Sequence, residues 1–368
     1  MPNNIYIDKK IRPYNKTIEV SSDKSLSIRT ILLASQAIGI SRISNLLDSD
    51  DVFSALKTIK KLGINYKKKK NYYEIYGYGL NGFSEKKNIV INAGNSGTLA
   101  RLILGLLVRS KNKIKLIGDK SLSRRDFSRI TEPLKLFGVN IKSKNNSLPI
   151  ITQGTKFLRP INYVENLGSA QCKSSIMFAA LNTPGLTKIN AKKSRNHTEL
   201  LFKYLNIPMK IKKSKKYDFI SIKGINKINN LNYKIPGDIS SSAFFIVLTI
   251  LSKNSELLIK NININPSRIG VIKILKMMGA KILLKNVKNY KGEKIADIYV
   301  ESVKYLKAIN CPPSLNSNAI DEFLIIFLIA AKANGVSYFR NLSELNQKES
   351  PRLKLGSKIL NLMGVKTI

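Results

Sequence analysis

Cations, small hydroxyls and a few acids recur at the starts of apolar segments in this chain, and such a set can do two kinds of chemistry. Lys24, Ser25 and Arg29 stand in DKSLSIR; Asn95, Gly97, Thr98 and Arg101 in GNSGTLAR; Arg124 and Arg125 in GDKSLSRR. Ser169, Gln171 and Lys173 follow in GSAQCKS, Ser194 and Arg195 in SRNH, Asp321 and Glu322 in NAIDEF, and Lys348, Glu349 and Arg352 in QKESPR. Lysine, arginine and hydroxyl side chains bind phosphate and carboxylate. Carboxyl groups in different surroundings can remove or deliver a proton. His197 is the only histidine and reads as the first-turn residue of a helix capped by Asn196 with Glu199. Acid–base work therefore falls on carboxylates and lysines. One histidine and two cysteines, Cys172 and Cys311, leave no His/Cys zinc set and no disulfide framework.

The elements that must position these residues repeat. Five times a turn rich in Ser, Thr, Gly and Asn runs into an apolar helix: from Asp23, Gly94, Gly168, Gly237 and Asn318, spaced roughly 70 to 80 residues apart. A short strand follows each, then an amphipathic helix stopped at Gly63, Gly138, Asn206, Gly279 or Gly364, then further strand. Each repeat thus alternates α and β, with its first helix apolar nearly all round and buried among others. Three repeats per lobe give two lobes: residues 1–18 plus 235–368, and residues 19–234. The polar stretch Asn226–Lys234 is expected to cross between them, with a second crossing near Thr17–Ser22. A helix N-terminus offers unpaired N–H groups and partial positive charge to anions, so gathered tips would hold a multiply anionic small molecule. Each tip taken singly is also what any helix start wants as a cap; recurrence at the same place in every repeat favours the binding reading.

Taken in order, DKSLSIRTILLASQAIGISRISNLLDSDDV, NAGNSGTLARLI, GDKSLSRR, SAQCKSSIMFAAL, SRNHTE, PGDISSSAFF, AIDEF and KESPRL resemble the 5-enolpyruvylshikimate-3-phosphate synthases, from about Ile7 to Ile368. The related UDP-N-acetylglucosamine enolpyruvyl transferases share the fold but not this motif set. The resemblance implies a two-lobed inverse α/β barrel with the active site in the cleft between lobes. It implies transfer of the enolpyruvyl group of phosphoenolpyruvate to the 5-hydroxyl of shikimate 3-phosphate, with no metal or organic cofactor. By residue it implies that Lys24 touches both substrates. Ser25, Arg29, Ser169, Ala170, Gln171, Arg195, Asp321 and Lys348 fall on the shikimate 3-phosphate side. Asn95, Gly97, Arg125, Gln171 and Arg352 fall on the phosphoenolpyruvate side. Asp321 is the implied base at the 5-hydroxyl and Glu349 the implied proton donor to the methylene carbon. Glyphosate inhibits this family, and Gly97 is expected to leave room that an alanine would fill.

The chain departs from the family's pattern in four places. Asp126 stands where a proline usually follows the arginine matched by Arg125, and an acid there is expected to weaken that arginine's hold. Pro351 replaces an acid, and Ala170 stands where some members have Ser. The family has a sixth repeat, and here the sequence ends after the fifth. An incomplete or eroded synthase, with apolar surface left bare and activity reduced, is the expectation.

The net charge is +40, from 63 basic and 23 acidic residues among 368. That balance invites nucleic acid as an alternative partner. The charge is spread along the chain and aromatic residues do not interleave with it as in a stacking platform, so anionic small molecules are preferred as partners. With 43% hydrophobic residues the composition is that of a globular protein. No apolar run reaches membrane-span length, and the N-terminus shows no secretory h-region. A monomeric cytoplasmic enzyme is expected.

Overall fold

A computed structural model of the chain describes residues 10–80, 82–84, 87–347 and 349–368. The chain runs through β1 (Asn15–Ile18) into the first repeat, α1 (Lys24–Gln36), β2 (Ile38–Ser44), α2 (Asp50–Lys61), β3 (Tyr66–Lys68) and β4 (Tyr72–Tyr78). β5 (Ile89–Asn92) leads to α3 (Gly97–Leu106), β6 (Ile114–Ile117), α4 (Ser128–Leu136), β7 (Asn140–Ser143) and β8 (Ile150–Gln153). β9 (Asn162–Glu165) leads to α5 (Ala170–Leu181), β10 (Leu186–Lys192), α6 (His197–Tyr204), β11 (Met209–Lys213), β12 (Tyr217–Lys223) and β13 (Asn232–Lys234). The fourth repeat is α7 (Ile239–Leu251), β14 (Glu256–Asn263), α8 (Gly270–Met277), β15 (Lys281–Tyr290) and β16 (Glu293–Glu301). The fifth has α9 (Phe323–Ala330) and α10 (Arg352–Leu362).

Two compact units result. The central unit is Ser21–Pro236 together with Asn289–Glu293; the outer unit is the described chain up to Val20, Gly237–Lys288 and Lys294–Ile368. The central unit carries three sheets of one pattern: β13-β2-β4-β3, β5-β6-β8-β7 and β9-β10-β12-β11. In each, an edge strand from outside the repeat's own three runs parallel to its neighbour and the other pairings are antiparallel. For the first repeat that edge strand comes from the far end of the unit. β13 pairs Asn232–Lys234 with Arg42–Ser44 and so joins the third repeat back to the first. The stretch expected to cross between lobes therefore lies inside the central unit, with Tyr233 fully buried, and the chain leaves the unit after Pro236. Polar residues at 226, 229, 230 and 232 suit a solvent edge, which is why the segment reads as a linker.

The first helix of each central repeat is capped by a residue of its turn. The side chain of Asp23 accepts from Leu26 N at 2.8 Å, Ser96 from Leu99 N at 3.3 Å and Ser169 from Cys172 N at 3.2 Å. Beyond the caps these helices are buried almost all round, α5 without interruption from Cys172 to Leu181. α3 packs on α5 and α1. The α3–α5 approach is close enough that a Cβ on Gly105 would stand 2.2 Å from the Ser175 carbonyl oxygen. The second helices are amphipathic: α2 buries Val52, Ala55, Leu56 and Ile59 and ends in Lys60 and Lys61, where cations suit a helix C-terminus. Gly63, Gly138, Asn206, Gly279 and Gly364 all stand at positive φ just past their helices, as the sequence indicates.

The outer unit repeats the sheet once, in the order β1-β14-β16-β15, with β1 parallel to β14. The short strand expected after the fifth repeat's apolar helix, at Val336–Leu342, is reduced to one isolated bridge, Asn310↔Tyr338, with a second, Lys307↔Asn334, just before it. The residues after Gly364 form no strand. Helices α7 and α9 pack on each other, yet Phe244, Phe245, Leu248 and Leu324 are exposed, and so are Ile359 and Leu362 of α10. Among the described residues no helix is long and apolar enough to cross a membrane, and no group of His, Cys, Asp and Glu is placed to hold a metal.

Candidate active site

In the central unit the helix starts bring most of the sequence-indicated residues into two connected sets. The first joins α1, α5 and α6. Arg29, 3% exposed, donates from Nε to Thr198 Oγ1 at 2.9 Å, from Nη1 to the Ser25 carbonyl at 3.0 Å and from Nη2 to Ser174 Oγ at 3.4 Å. Ser174 and Thr198 share a hydrogen bond of 2.7 Å. Burial pushes the Arg29 guanidinium down from 12.5 to about 10, opposed chiefly by the carboxylates of Asp23 and Glu199, so it keeps its charge at neutral pH. Ser169 and Ala170 begin α5 beside a turn shaped by Glu165. That buried carboxylate accepts from the backbone N–H groups of Leu167, Gly168 and Ser169 at 3.0, 2.9 and 3.1 Å. Lys24 is exposed at the start of α1, 3.8 Å from Asp51, and Arg195 is half-buried ahead of α6.

The second set joins α3 and α5 with the short turn Leu122–Arg124. Gln171 accepts from Arg101 Nη1 at 2.8 Å and donates to Thr98 Oγ1 at 3.0 Å. The Arg101 guanidinium lies over the Phe127 ring, 5.1 Å from its centre. Arg125 reaches Asn95 Oδ1 at 3.5 Å, and Asn95 in turn donates to Asp119. The Asp119 carboxyl is held below its usual range, first by the Leu122 N–H and also by Asn95 and Arg125. Asp126 accepts from Ser128 N at 2.9 Å and from its hydroxyl at 2.5 Å, at the start of α4. Gly97 does not face empty space: a Cβ there would stand 2.6 Å from Arg101 Nη1 and 3.0 Å from Arg125 Nη1.

One tip cation is not at a tip. Lys173 is fully buried and its Nζ lies 2.5 Å from Glu199 Oε1. Glu199, expected in a helix cap, makes this ion pair, and the Asn196 side chain forms no capping hydrogen bond. Removing one partner of such a buried pair costs about 3–5 kcal/mol, because the other charge stays desolvated.

The outer unit holds its own cluster. Arg352, at the start of α10, lies 3.3 Å from Asp321 Oδ1 through Nη1 and 2.7 Å from Glu349 Oε2 through Nη2. The two candidate acid–base groups thus share one guanidinium. Pro351 occupies the N-cap position of α10, where a missing N–H costs no helix bond. In the same unit Arg268, 2% exposed, binds Asp238 at 3.0 Å and the Ser240 hydroxyl at 2.8 Å and lies 4.0 Å from Glu322. Lys348 lies outside the described residues. Glu165, Asp119 and Arg268 escape a reading by tip motif: Glu165 and Arg268 lie in neighbouring strand ends and turns, and Asp119 carries the wrong charge for an anion site. Thr198, in SRNHTE, carries the hydroxyl that signals such a partner.

Comparison with known proteins now adds to this geometry. The family profile described as EPSP synthase (3-phosphoshikimate 1-carboxyvinyltransferase) matches residues 9–368. A 3-phosphoshikimate 1-carboxyvinyltransferase of Ruthia magnifica is 37% identical over 362 residues, 98% of this chain and 82% of that one. One of Vesicomyosocius okutanii is 39% identical over 360 residues, 96% of this chain and 81% of that one. A solved EPSP synthase from Acinetobacter baumannii superposes with a TM-score of 0.85 at 33% identity, covering 96% of this chain and 79% of that one.

Proposed function

The chain belongs to the EPSP synthase (3-phosphoshikimate 1-carboxyvinyltransferase) family, and from that premise we propose how its residues divide the reaction. The enzyme is a transferase. It moves the enolpyruvyl group of phosphoenolpyruvate to the 5-hydroxyl of shikimate 3-phosphate and releases phosphate, a step of aromatic amino-acid biosynthesis. The central unit binds. Lys24, Ser25, Arg29, Ser169, Ala170, Gln171 and Arg195 hold shikimate 3-phosphate, and Asn95, Gly97, Arg125 and Gln171 hold phosphoenolpyruvate together with Lys24. What supports this most is that Arg29, Ser174 and Thr198 tie three helix starts into one buried polar set. The substrates bring two phosphates and two carboxylates, whose mutual repulsion fixed cations must offset.

The outer unit supplies the proton transfers. Asp321 takes the proton of the attacking hydroxyl, and Glu349 delivers one to the methylene carbon. The carbon–oxygen bond then forms at the cationic centre, and loss of phosphate with return of the methyl proton restores the enol ether. Arg352, held by both acids, binds phosphoenolpyruvate. Lys348 joins the shikimate side on its motif alone. The enzyme acts as a cytoplasmic monomer on small molecules, without nucleic acid.

Steady-state phosphate release with both substrates tests the division. Asp321→Asn and Glu349→Gln should each lower kcat by about 10²–10⁴-fold while leaving both KM values nearly unchanged. Full turnover by either variant would end the acid–base assignment.

A further inference from the structure

The proposed roles leave a buried acid–histidine pair of the central unit unused. His197 is 1% exposed and its Nδ1 lies 2.6 Å from Oε1 of Glu293, which is 0% exposed. Glu293 is the first residue of β16, and the turn before it belongs to the central unit. A Cβ on Gly292 would stand 2.6 Å from the Leu200 carbonyl oxygen, and the Tyr290 hydroxyl accepts from Lys234 N at 3.0 Å. The Lys291 ammonium lies over the rings of Tyr204 and Tyr290.

What this pair holds is the first turn of α6. That helix has only eight residues, and its N-cap side chain forms no capping hydrogen bond. Three consecutive side chains fix it instead. His197 meets Glu293, Thr198 takes Nε of Arg29, and Glu199 meets Lys173. A carboxylate facing imidazole Nδ1 keeps the proton on that nitrogen in both the neutral and the charged ring, which fixes ring orientation. With the ring fixed, Thr198 is held where Arg29 can reach it. A slip at that link would carry through to the guanidinium that meets bound substrate, and so weaken binding of that substrate.

We propose that Glu293, acting through His197, is a positioning residue for shikimate 3-phosphate: it sets the α6 start and thereby the Thr198–Arg29 bond. The proposal rests on the assignment of Arg29, Ser169 and Arg195 to that substrate. It concerns binding of this substrate and leaves phosphoenolpyruvate untouched.

Because His197 is the only histidine, histidine labelled with ¹³C at Cε1 alone gives one imidazole signal from the intact chain. Shikimate 3-phosphate alone, added to the wild-type protein, should shift that signal saturably, and phosphoenolpyruvate alone should not; an unmoved signal at saturating shikimate 3-phosphate overturns the proposal. In steady state, Glu293→Gln should raise KM for shikimate 3-phosphate about tenfold, with KM for phosphoenolpyruvate and kcat within about twofold, and Glu293→Asp should recover most of the loss. Ile75→Ala, a core change in β4 with comparable loss of thermal midpoint, should move neither KM. Equal rises in both KM values, or none, overturn the positioning role. Ser169→Ala separates this outcome from the underlying assignment: if it too leaves KM for shikimate 3-phosphate unchanged, the assignment fails, and if it raises KM while Glu293→Gln does not, only the Glu293 link fails. Should the Glu293 variants not fold, the wild-type titration decides.

Discussion

The central and outer units are built from the same repeat, yet they treat its apolar helix differently. In the central unit α1, α3 and α5 are buried almost completely: α3 packs on both α1 and α5, and Arg29 of α1 reaches Ser174 of α5. In the outer unit α7 and α9 carry equally apolar sequences, but Phe244 is 62% exposed and Leu324 44%. An apolar face therefore records what a helix can bury, and the number of neighbours decides what it does bury. The sheets make the same point. β13 returns from the third repeat to pair with β2 and completes the first repeat's sheet, whereas the fifth repeat contributes only isolated bridges.

The largest test of this contrast is a pair of glycines. Gly105→Ala forces a methyl group to 2.2 Å from the Ser175 carbonyl oxygen, where two backbones meet and neither can yield. It should cost about 3 kcal/mol or more in denaturant unfolding. Gly279→Ala in the outer unit meets nothing within 4 Å and suffers only its left-handed φ of 95°, about 1–2 kcal/mol. Equal costs would mean that the α3–α5 approach is no tighter than an open helix stop.

Equivalent helix positions give the next test. Leu102 and Phe244 are each the sixth residue of the first helix in their repeat, one fully buried and the other mostly exposed. Leu102→Ala should cost about 2–5 kcal/mol. Phe244→Ala should cost less than about 1 kcal/mol, because its ring already meets solvent. A large cost at Phe244 would show that this face is covered in solution.

How much of this was legible beforehand follows from the range of each interaction. The repeats, their caps and their five left-handed stops are local signals, and Gly63, Gly138, Asn206, Gly279 and Gly364 all bear them out. The tips read as cation-rich because helix starts are local too. What escaped depends on partners far away in sequence. Nothing around Asn232 says that it will lie beside Arg42. Lys173 looks like one more tip cation until Glu199 is found 2.5 Å away, and Glu293 is one acid among 23 until His197 faces it. Sequence spacing places a residue on a helix turn; which way a long side chain leans is settled by what the next repeat offers.

A smaller effect is expected where the central unit was thought to have room. Gly97→Ala would press on the ends of Arg101 and Arg125, both flexible and able to move. KM for phosphoenolpyruvate should rise by up to about tenfold, equivalent to 1.4 kcal/mol, and inhibition by glyphosate should weaken by more than that. Equal weakening of inhibitor and substrate would mean that the methyl group acts only through Arg125, with no contact to the inhibitor itself.

The smallest effect separates the two thiols, one in each unit. Cys172 in α5 donates to the Arg129 carbonyl at 2.8 Å, and burial pushes its thiol up from 9.0 to about 12, with Glu165 adding to the shift and Arg129 opposing it. Burial also raises Cys311, whose Sγ lies 3.9 Å from the Pro312 carbonyl oxygen. A thiol with a folded pKa above its unfolded one binds its proton more tightly in the native state. The stability this contributes is whole below about pH 9 and drains away as pH rises toward the folded value, because the unfolded chain ionises first. For Cys172 the drain runs from about pH 9 to about 12, at no more than about 1.4 kcal/mol per pH unit. Urea unfolding between pH 8.5 and 10.5 should therefore lose less stability in Cys172→Ala than in wild type, and Cys311→Ala should flatten the curve less. Wild-type and Cys172→Ala curves that run parallel through this window would place the Cys172 thiol in contact with water, and α5 would then not be the sealed centre of its unit.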